Sequence, residues 1–294
     1  MSSKDKVLEF LELNKGTYIS GESLAESLSL SRTAVWKAVN ELRKSGYEID
    51  AVSNKGYMLG ESNDILSAAG IISCLDSDVQ KRYKGKNLIC VYDKVTSTNR
   101  LAKELAIAGG EHGSVIIANE QTTGRGRRDH SFYSPKGGLY MSILLRPEGG
   151  SLLGGLQGAP DDSKGVYGDA AGSADGARPL TPDVVTGAVG NSVIDAIKNL
   201  TGISTRLKPI NDLFIGDKKV CGILTEAGTE FETGLIQWIV VGIGINFDSD
   251  MDSFPEDIKE IATSLFAPGK ATVSKNKLAA EIINRIIGET MLDC

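Results

Sequence analysis

Apolar residues at Val7, Leu8, Phe10, Leu11 and Leu13 fall on one side of a short helix that ends near Gly16. A second helix is expected over 21–28, capped by Ser20 with Ser23 as the other candidate, and Leu28-Ser29-Leu30 makes the turn. A third begins at Ser31, buries Ala34, Val35, Ala38, Val39 and Leu42, and closes at Gly46. The period then changes. Tyr47-Glu48-Ile49-Asp50 alternates, Ser53-Asn54-Lys55-Gly56 turns, and Tyr57-Met58-Leu59 returns. Three helices and a hairpin make a winged helix-turn-helix over residues 1–62.

Residues 63–87 read as a connector with one short helix carrying Ile65, Leu66, Ile71, Ile72 and Leu75, followed by a solvated basic run, 81–86. From 88 to 294 a larger domain is expected. Its strands are Leu88–Tyr92, Ser114–Ala118, an alternating Leu139–Pro147, Thr205–Pro209, Leu213–Ile215, Val220–Thr225 and Leu235–Phe247. Helices are expected over 100–108, from Thr181 to about Leu200, and from about Ser274 to Ile287. Strands follow one another through hairpins with helices set apart, so the class is α+β rather than a doubly wound sheet. Nine of the 29 residues in 149–177 are glycine, which reads as a flexible insertion.

Charge sharpens the picture locally. The chain carries a net charge of −6, which excludes a globally basic nucleic-acid coat. Residues 1–60 hold eight basic and eight acidic side chains, yet 31–46 holds Arg32, Lys37, Arg43 and Lys44 against Glu41 alone. The third helix is therefore the candidate for the major groove. Ser31, Arg32, Thr33 and Lys37 are placed to meet bases and phosphates, and Lys55 at the hairpin tip to meet the backbone. A protein–protein module is the alternative, and Trp36 fits core or surface. The four cysteines have no metal or disulfide spacing, and two histidines are too few for a histidine-based metal centre. With no secretory signal or long apolar span, the chain reads as soluble and cytoplasmic, without a membrane.

The chemistry centres on Gly124-Arg125-Gly126-Arg127-Arg128, between two strands. Glycines let the backbone approach a ligand, and guanidinium groups suit a phosphate or mixed anhydride; a solvated basic turn is the bland alternative. Ser97, Thr98 and Asn99 sit at a strand end and helix start, where they bind a polar head or simply cap. Gln121, Lys208, Asn211, Asp212, Lys219 and Asn246 recur at strand ends, and Gly242 and Gly244 mark a close approach. Cations with one acid and no nucleophile–base pair suit charge stabilisation as a carboxylate attacks ATP.

These segments resemble the bifunctional biotin–protein ligase / biotin operon repressor family. The resemblance is carried by Ser31 to Lys37, Lys55-Gly56-Tyr57, Ser97-Thr98-Asn99, the arginine loop with Ser134-Pro135, Lys208 to Asp212, Lys219 to Leu224 and Gly242 to Asn246. It implies a mixed-sheet catalytic domain of the class II aminoacyl-tRNA synthetase / biotin ligase type. It also implies biotin, ATP and Mg²⁺ as ligands, a biotinyl-5′-adenylate, and transfer of biotin to a lysine of a carboxylase carrier domain. Ser97, Thr98, Asn99, Gln121, Gly124, Arg125, Gly126, Arg127, Lys208, Asn211, Lys219, Gly242 and Asn246 would bind these ligands. Arg127, Lys219 and Asp212 would carry catalysis, with magnesium arriving on ATP and met by Asp212. The adenylate would favour a homodimer on a two-fold operator. Departures are Asp129 and His130 after the double arginine, the 149–177 insertion, and a chain that stops at Cys294, where the family continues into an SH3-like domain.

Overall fold

The computed structural model describes residues 1–61, 63–127, 130–147, 181–208 and 211–291. The glycine-rich 149–177 segment, Arg128 and Asp129 lie outside these residues. Contacts divide the chain into two units, Met1–Val91 with Val273–Glu281, and Tyr92–Thr272 with Ile282–Cys294.

In the first unit, α1 (Ser3–Leu13) opens on a capping box. The Ser2 hydroxyl accepts from the Asp5 N–H, and the Asp5 carboxylate accepts from the Ser2 N–H. Ser20 caps α2 (Gly21–Leu28) by accepting from the Ser23 N–H at 3.0 Å, which settles the choice between the two serines. Ser31 caps α3 (Arg32–Lys44) by accepting from the Ala34 N–H at 3.1 Å. β1 (Ile49–Val52) and β2 (Gly56–Leu59) form the antiparallel wing. Val7, Leu11, Leu24, Val35, Val39, Leu42 and Leu59 make the core.

The segment expected as a connector with one helix forms two, α4 (Ala68–Ser73) and α5 (Ser77–Tyr83), and both pack within this unit. The basic run is not wholly a solvated face, because the Tyr83 ring within it is fully buried. Asn276 ties residues 65–67 down. It donates to the Ile65 carbonyl at 2.9 Å and accepts the Ser67 N–H at 3.0 Å.

The second unit is built on a seven-stranded sheet. Its elements are β3 (Ile89–Val95), α6 (Thr98–Ile107), β4 (Val115–Gln121), β5 (Gly138–Leu145), α7 (Pro182–Thr201), β6 (Arg206–Lys208), β7 (Asp212–Ile215), β8 (Lys218–Thr229) and β9 (Ile236–Asn246). A short 3-10 turn (Met251–Ser253) and α8 (Glu256–Lys259) follow, and α9 (Lys275–Met291) begins in the first unit and ends in the second. Strand order is β3-β4-β5-β9-β8-β7-β6, and the pairings from β4 to β6 are antiparallel. At the other edge, the successive Thr122 and Thr123 N–H groups donate to the successive Val95 and Thr96 carbonyls. The β3 and β4 ends therefore run the same way, as a strand–helix–strand crossover requires, and the sheet is mixed.

Two strands differ instructively from expectation. β4 runs on past the expected Ala118 to Gln121, which stands at the strand's end as expected. β5 was expected to alternate, but all eight residues are buried. It lies between β4 and β9, and α6 packs on it. A central strand covered on both faces reads as a continuous apolar run, and Ser142 is the polar residue inside it.

Register assigns the faces. Ser142, Gly242 and Leu224 pair in one row across β5, β9 and β8, and Tyr140, Gly244 and Gly222 in the next row on the same face. α6 covers that face. α7 covers the other, where the Thr186 hydroxyl bonds that of Thr225 at 2.7 Å and Gly190 lies against Leu207 and Ile223. Among the described residues no helix is long and apolar enough to cross a membrane.

Candidate active site and DNA-facing surface

The site lies on the α6 face of the sheet. Ser97 is the N-cap residue of α6 and makes no side-chain capping bond, so capping does not account for it. Its neighbours are committed to one another. The Gln121 amide oxygen accepts from the Thr98 N–H at 2.8 Å, and its nitrogen donates to Ser134 Oγ at 3.0 Å. Ser134 donates onward to the Phe132 carbonyl at 2.8 Å. Asn99 lines the pocket and reaches across the sheet. Its amide nitrogen donates to the Leu224 carbonyl at 3.2 Å and to Glu226 at 3.0 Å, and its oxygen lies 2.6 Å from Ser142 Oγ. Asn99, expected to bind ligand, lines the cavity, and its polar atoms also brace the floor.

The two glycine rows form the floor. A Cβ on Gly242 would lie 1.9 Å from Asn99 Oδ1, so only glycine leaves room for that amide. One row along, the Phe132 ring covers Gly222 and Gly244, where added Cβ atoms would lie 3.0 and 2.8 Å from it. The Lys219 ammonium sits 5.4 Å from the centre of the same ring and 2.8 Å from an Asp212 carboxylate oxygen. Beneath them Cys221 is fully enclosed, and burial pushes its thiol pKa up, which leaves it inert.

A cavity of about 270 Å³ is lined by Ser97, Thr98, Asn99, Gln121, Arg125, Gly126, Arg127, Phe132, Asn211, Asp212, Lys219 and the floor glycines. It adjoins a wider cleft of about 860 Å³ that shares Arg125, Gly126 and Arg127 and adds Gly124, Asp183 and Glu226. In the arginine loop the Gly126 N–H donates to the His130 carbonyl at 2.7 Å, and the Phe132 N–H to the Gly124 carbonyl at 2.9 Å. Arg127 pairs at 3.4 Å with Asp183 in the first turn of α7.

Two expected contributors lie apart. The Lys208 ammonium sits 5.2 Å from the centre of the Phe214 ring and lines neither cavity. Asn246 is buried and donates to the Thr263 carbonyl at 3.0 Å, while its Oδ1 has no partner. Sequence reasoning missed Phe132, Ser142 and Glu226. A lone serine in an apolar strand and an aromatic beside the arginine loop were the available signals.

On the first unit, Arg32, Thr33, Lys37 and Lys44 are exposed along α3, and Trp36 is exposed beside them at 57%. Ser31 spends its hydroxyl as a cap. Arg43 is drawn to the wing, where Nε donates to the Ile49 carbonyl at 2.8 Å. Lys55 is exposed on the wing, with its ammonium 5.6 Å from the centre of the Tyr18 ring.

A polar pocket and a cationic loop on one sheet face, in a chain that also carries a winged helix, define a ligase-type domain joined to a DNA-binding head. The chain belongs to the biotin/lipoate A/B protein ligase family, whose model matches residues 90–246, and an HTH domain model matches residues 4–58. It is 35% identical over 262 residues to the bifunctional ligase/repressor BirA of Bacillus subtilis, covering 88% of this chain and 69% of that protein. To BirA of Escherichia coli it is 29% identical over 275 residues, covering 93% and 73%. Among solved structures it is similar to the biotin protein ligase from Aquifex aeolicus in complex with biotin and ATP. There the TM-score is 0.50, with 28% identity and 69% of each chain covered.

Proposed function

We propose that the chain is an ATP-dependent biotin–protein ligase that also represses transcription from a biotin operator. The observation that carries the ligase reading is the joining, in one cavity, of a preformed polar head pocket with Arg125, Arg127 and Lys219. A polar wall that includes Ser97, Thr98 and Gln121 suits a urea better than the dithiolane of lipoate, which has no hydrogen-bond donor.

In the first half-reaction the biotin carboxylate attacks the α-phosphorus of ATP. An O–P bond forms, the bond to the bridging oxygen breaks, and pyrophosphate leaves. Arg127 and Lys219 would face the growing negative charge, which is where fixed cations lower a barrier. Among the described residues no three acidic, histidine or cysteine side chains converge as a metal site. Magnesium would therefore come on the phosphates, the usual mode for this ion, with Asp212 the carboxylate beside Lys219. In the second half-reaction the amine of a carrier-domain lysine, having lost a proton to solvent, attacks the carbonyl carbon. The C–O bond to phosphate breaks and AMP leaves. The arginine loop would shield the anhydride from water until then.

Repression follows from the exposed basic face of α3. In a homodimer favoured by the adenylate, two copies of α3 would meet half-sites one helical turn or a multiple apart. The test of the ligase reading is incubation with biotin, ATP and magnesium, followed by mass spectrometry. A biotinyl-adenylate peak and a carrier domain heavier by one biotinyl group are expected. Absence of both, with the protein folded, overturns the proposal.

A further inference from the structure

Glu226 lies below the head pocket, on β8, and neither the sequence pattern nor the proposed reaction gives it a part. Its carboxylate accepts on both oxygens, from Lys103 Nζ at 2.7 Å and from Asn99 Nδ2 at 3.0 Å. Lys103 stands one turn after Asn99 on α6, so both donors come from one helix face. A carboxylate can only accept, so the Asn99 atom facing it must be the NH₂. The Leu224 carbonyl, uncharged and farther away at 3.2 Å, makes the same demand more weakly. Asn99 Oδ1 is thereby turned toward Ser142.

The consequence passes along the chain of bonds. Asn99 Oδ1 has no proton, so the 2.6 Å contact with Ser142 must use the single hydroxyl proton of Ser142. Ser142 can then only accept in its 2.8 Å contact with Thr98, which uses the proton of Thr98. The remaining contact of Thr98 Oγ1, 3.2 Å from Gln121 Oε1, holds no proton, and that Gln121 oxygen is served by the Thr98 N–H at 2.8 Å. Thr98 Oγ1 is left presenting lone pairs to the cavity. Ser142 is fully buried and Thr98 and Asn99 nearly so, so water does not scramble these directions.

We propose that Glu226 is a positioning residue that sets the hydrogen-bond polarity of the head pocket. It makes Thr98 an acceptor and so selects a ligand with an N–H at that point. This rests on the reading that the pocket takes the ureido head of biotin. The carboxylate lines the wider cleft beside the head pocket, and its effect on the ureido head passes through Asn99 and Ser142.

The test uses the full chain and titration calorimetry with two ligands. One is biotin. The other is its cyclic carbamate, with a ring oxygen in place of one ureido N–H, in both regioisomers. The wild type is expected to prefer biotin to one regioisomer by about tenfold, the scale of one buried hydrogen bond together with the lone-pair clash that replaces it. In Glu226→Gln, Lys103 claims the amide oxygen and the new NH₂ faces the Asn99 NH₂. The preference should fall to about twofold as that polarity is lost. Lys103→Met alone should keep the preference, because the carboxylate still accepts. The double variant should recover it, because the glutamine is then released to turn its oxygen to Asn99. A supporting ion pair with no directional role would lower affinity for both ligands alike and show no recovery. An unchanged ratio in Glu226→Gln, or no recovery in the double variant, overturns the inference while leaving the biotin reading intact. A wild type that binds neither ligand overturns both.

Discussion

Replacing Gly242 with alanine tests the central geometry of the site. The new Cβ would stand 1.9 Å from Asn99 Oδ1 and 2.7 Å from its Cγ, closer than any real contact, so the amide must leave. Three bonds go with it, to Ser142, Leu224 and Glu226. Taking about 1 kcal/mol for each neutral bond and about 2 kcal/mol for the charged one, the loss is about 4 kcal/mol. Alanine is less costly than glycine to order in a strand by about 0.5–1 kcal/mol, which leaves a net destabilisation of about 3 kcal/mol. Urea unfolding followed by Trp238 fluorescence, in a Trp36→Phe background, reads the unit that contains β9. Gly187→Ala is the control. It lies in α7 with nothing within 4 Å of the added carbon and should be stabilising by up to about 1 kcal/mol. A Gly242→Ala protein within about 0.5 kcal/mol of wild type would show that Asn99 swings aside freely. The braced pocket would then be refuted.

Other outcomes follow from the same structure. Lys219→Met should leave biotin affinity within about threefold but slow adenylate formation by about 10²–10³-fold, measured as pyrophosphate release; equal loss in both would place Lys219 in ground-state binding. Lys37→Ala should lower the slope of log affinity against log salt for operator DNA by about 0.9 if it meets one phosphate, and an unchanged slope would remove it from the interface. Ser31→Ala should be destabilising by about 1 kcal/mol through the lost cap in thermal unfolding. Burial raises the pKa of Glu12 above its ordinary 4.5, against the opposing pull of Lys15. The folded chain thus holds that proton to higher pH than the unfolded chain, so this contribution to stability grows as pH falls toward 4.5 and is lost as pH rises through the folded value. Asp50, held below its ordinary 3.8 by Tyr18, acts in the opposite sense at lower pH. Glu12→Gln should flatten the dependence above pH 4.5, checked by melting curves across that range; an unchanged profile would exonerate Glu12.

Much of this was legible because local chemistry and tertiary structure agree. Ser20 and Ser31 cap the helices they precede, and the apolar spacing of α3 matches its buried face. The site was legible where a residue type is costly elsewhere, as with the arginine loop and Gly242. Failures came where a residue's partner is distant in sequence. The bonds from Asn99 to β5 and β8 were not legible, because nothing local names those partners. β5 departs from the expected alternation because alternation assumes one wet face, and α6 removes it. The second helix of the connector is not legible because Cys74-Leu75-Asp76, the break between α4 and α5, carries neither glycine nor proline.

The glycine rows also bear on how the chain finds its fold. A slip of β9 by one residue would exchange Gly242 and Gly244 for Val241, Ile243 or Ile245 on the α6 face. Branched side chains would then stand where the Asn99 amide and the Phe132 ring must lie. The slipped sheet would retain its ladder of backbone bonds, yet it would have nowhere to seat α6. The pocket floor thus acts as a proofreading step for strand alignment, and the geometry that later receives a ligand first rejects the near-native errors of its own sheet.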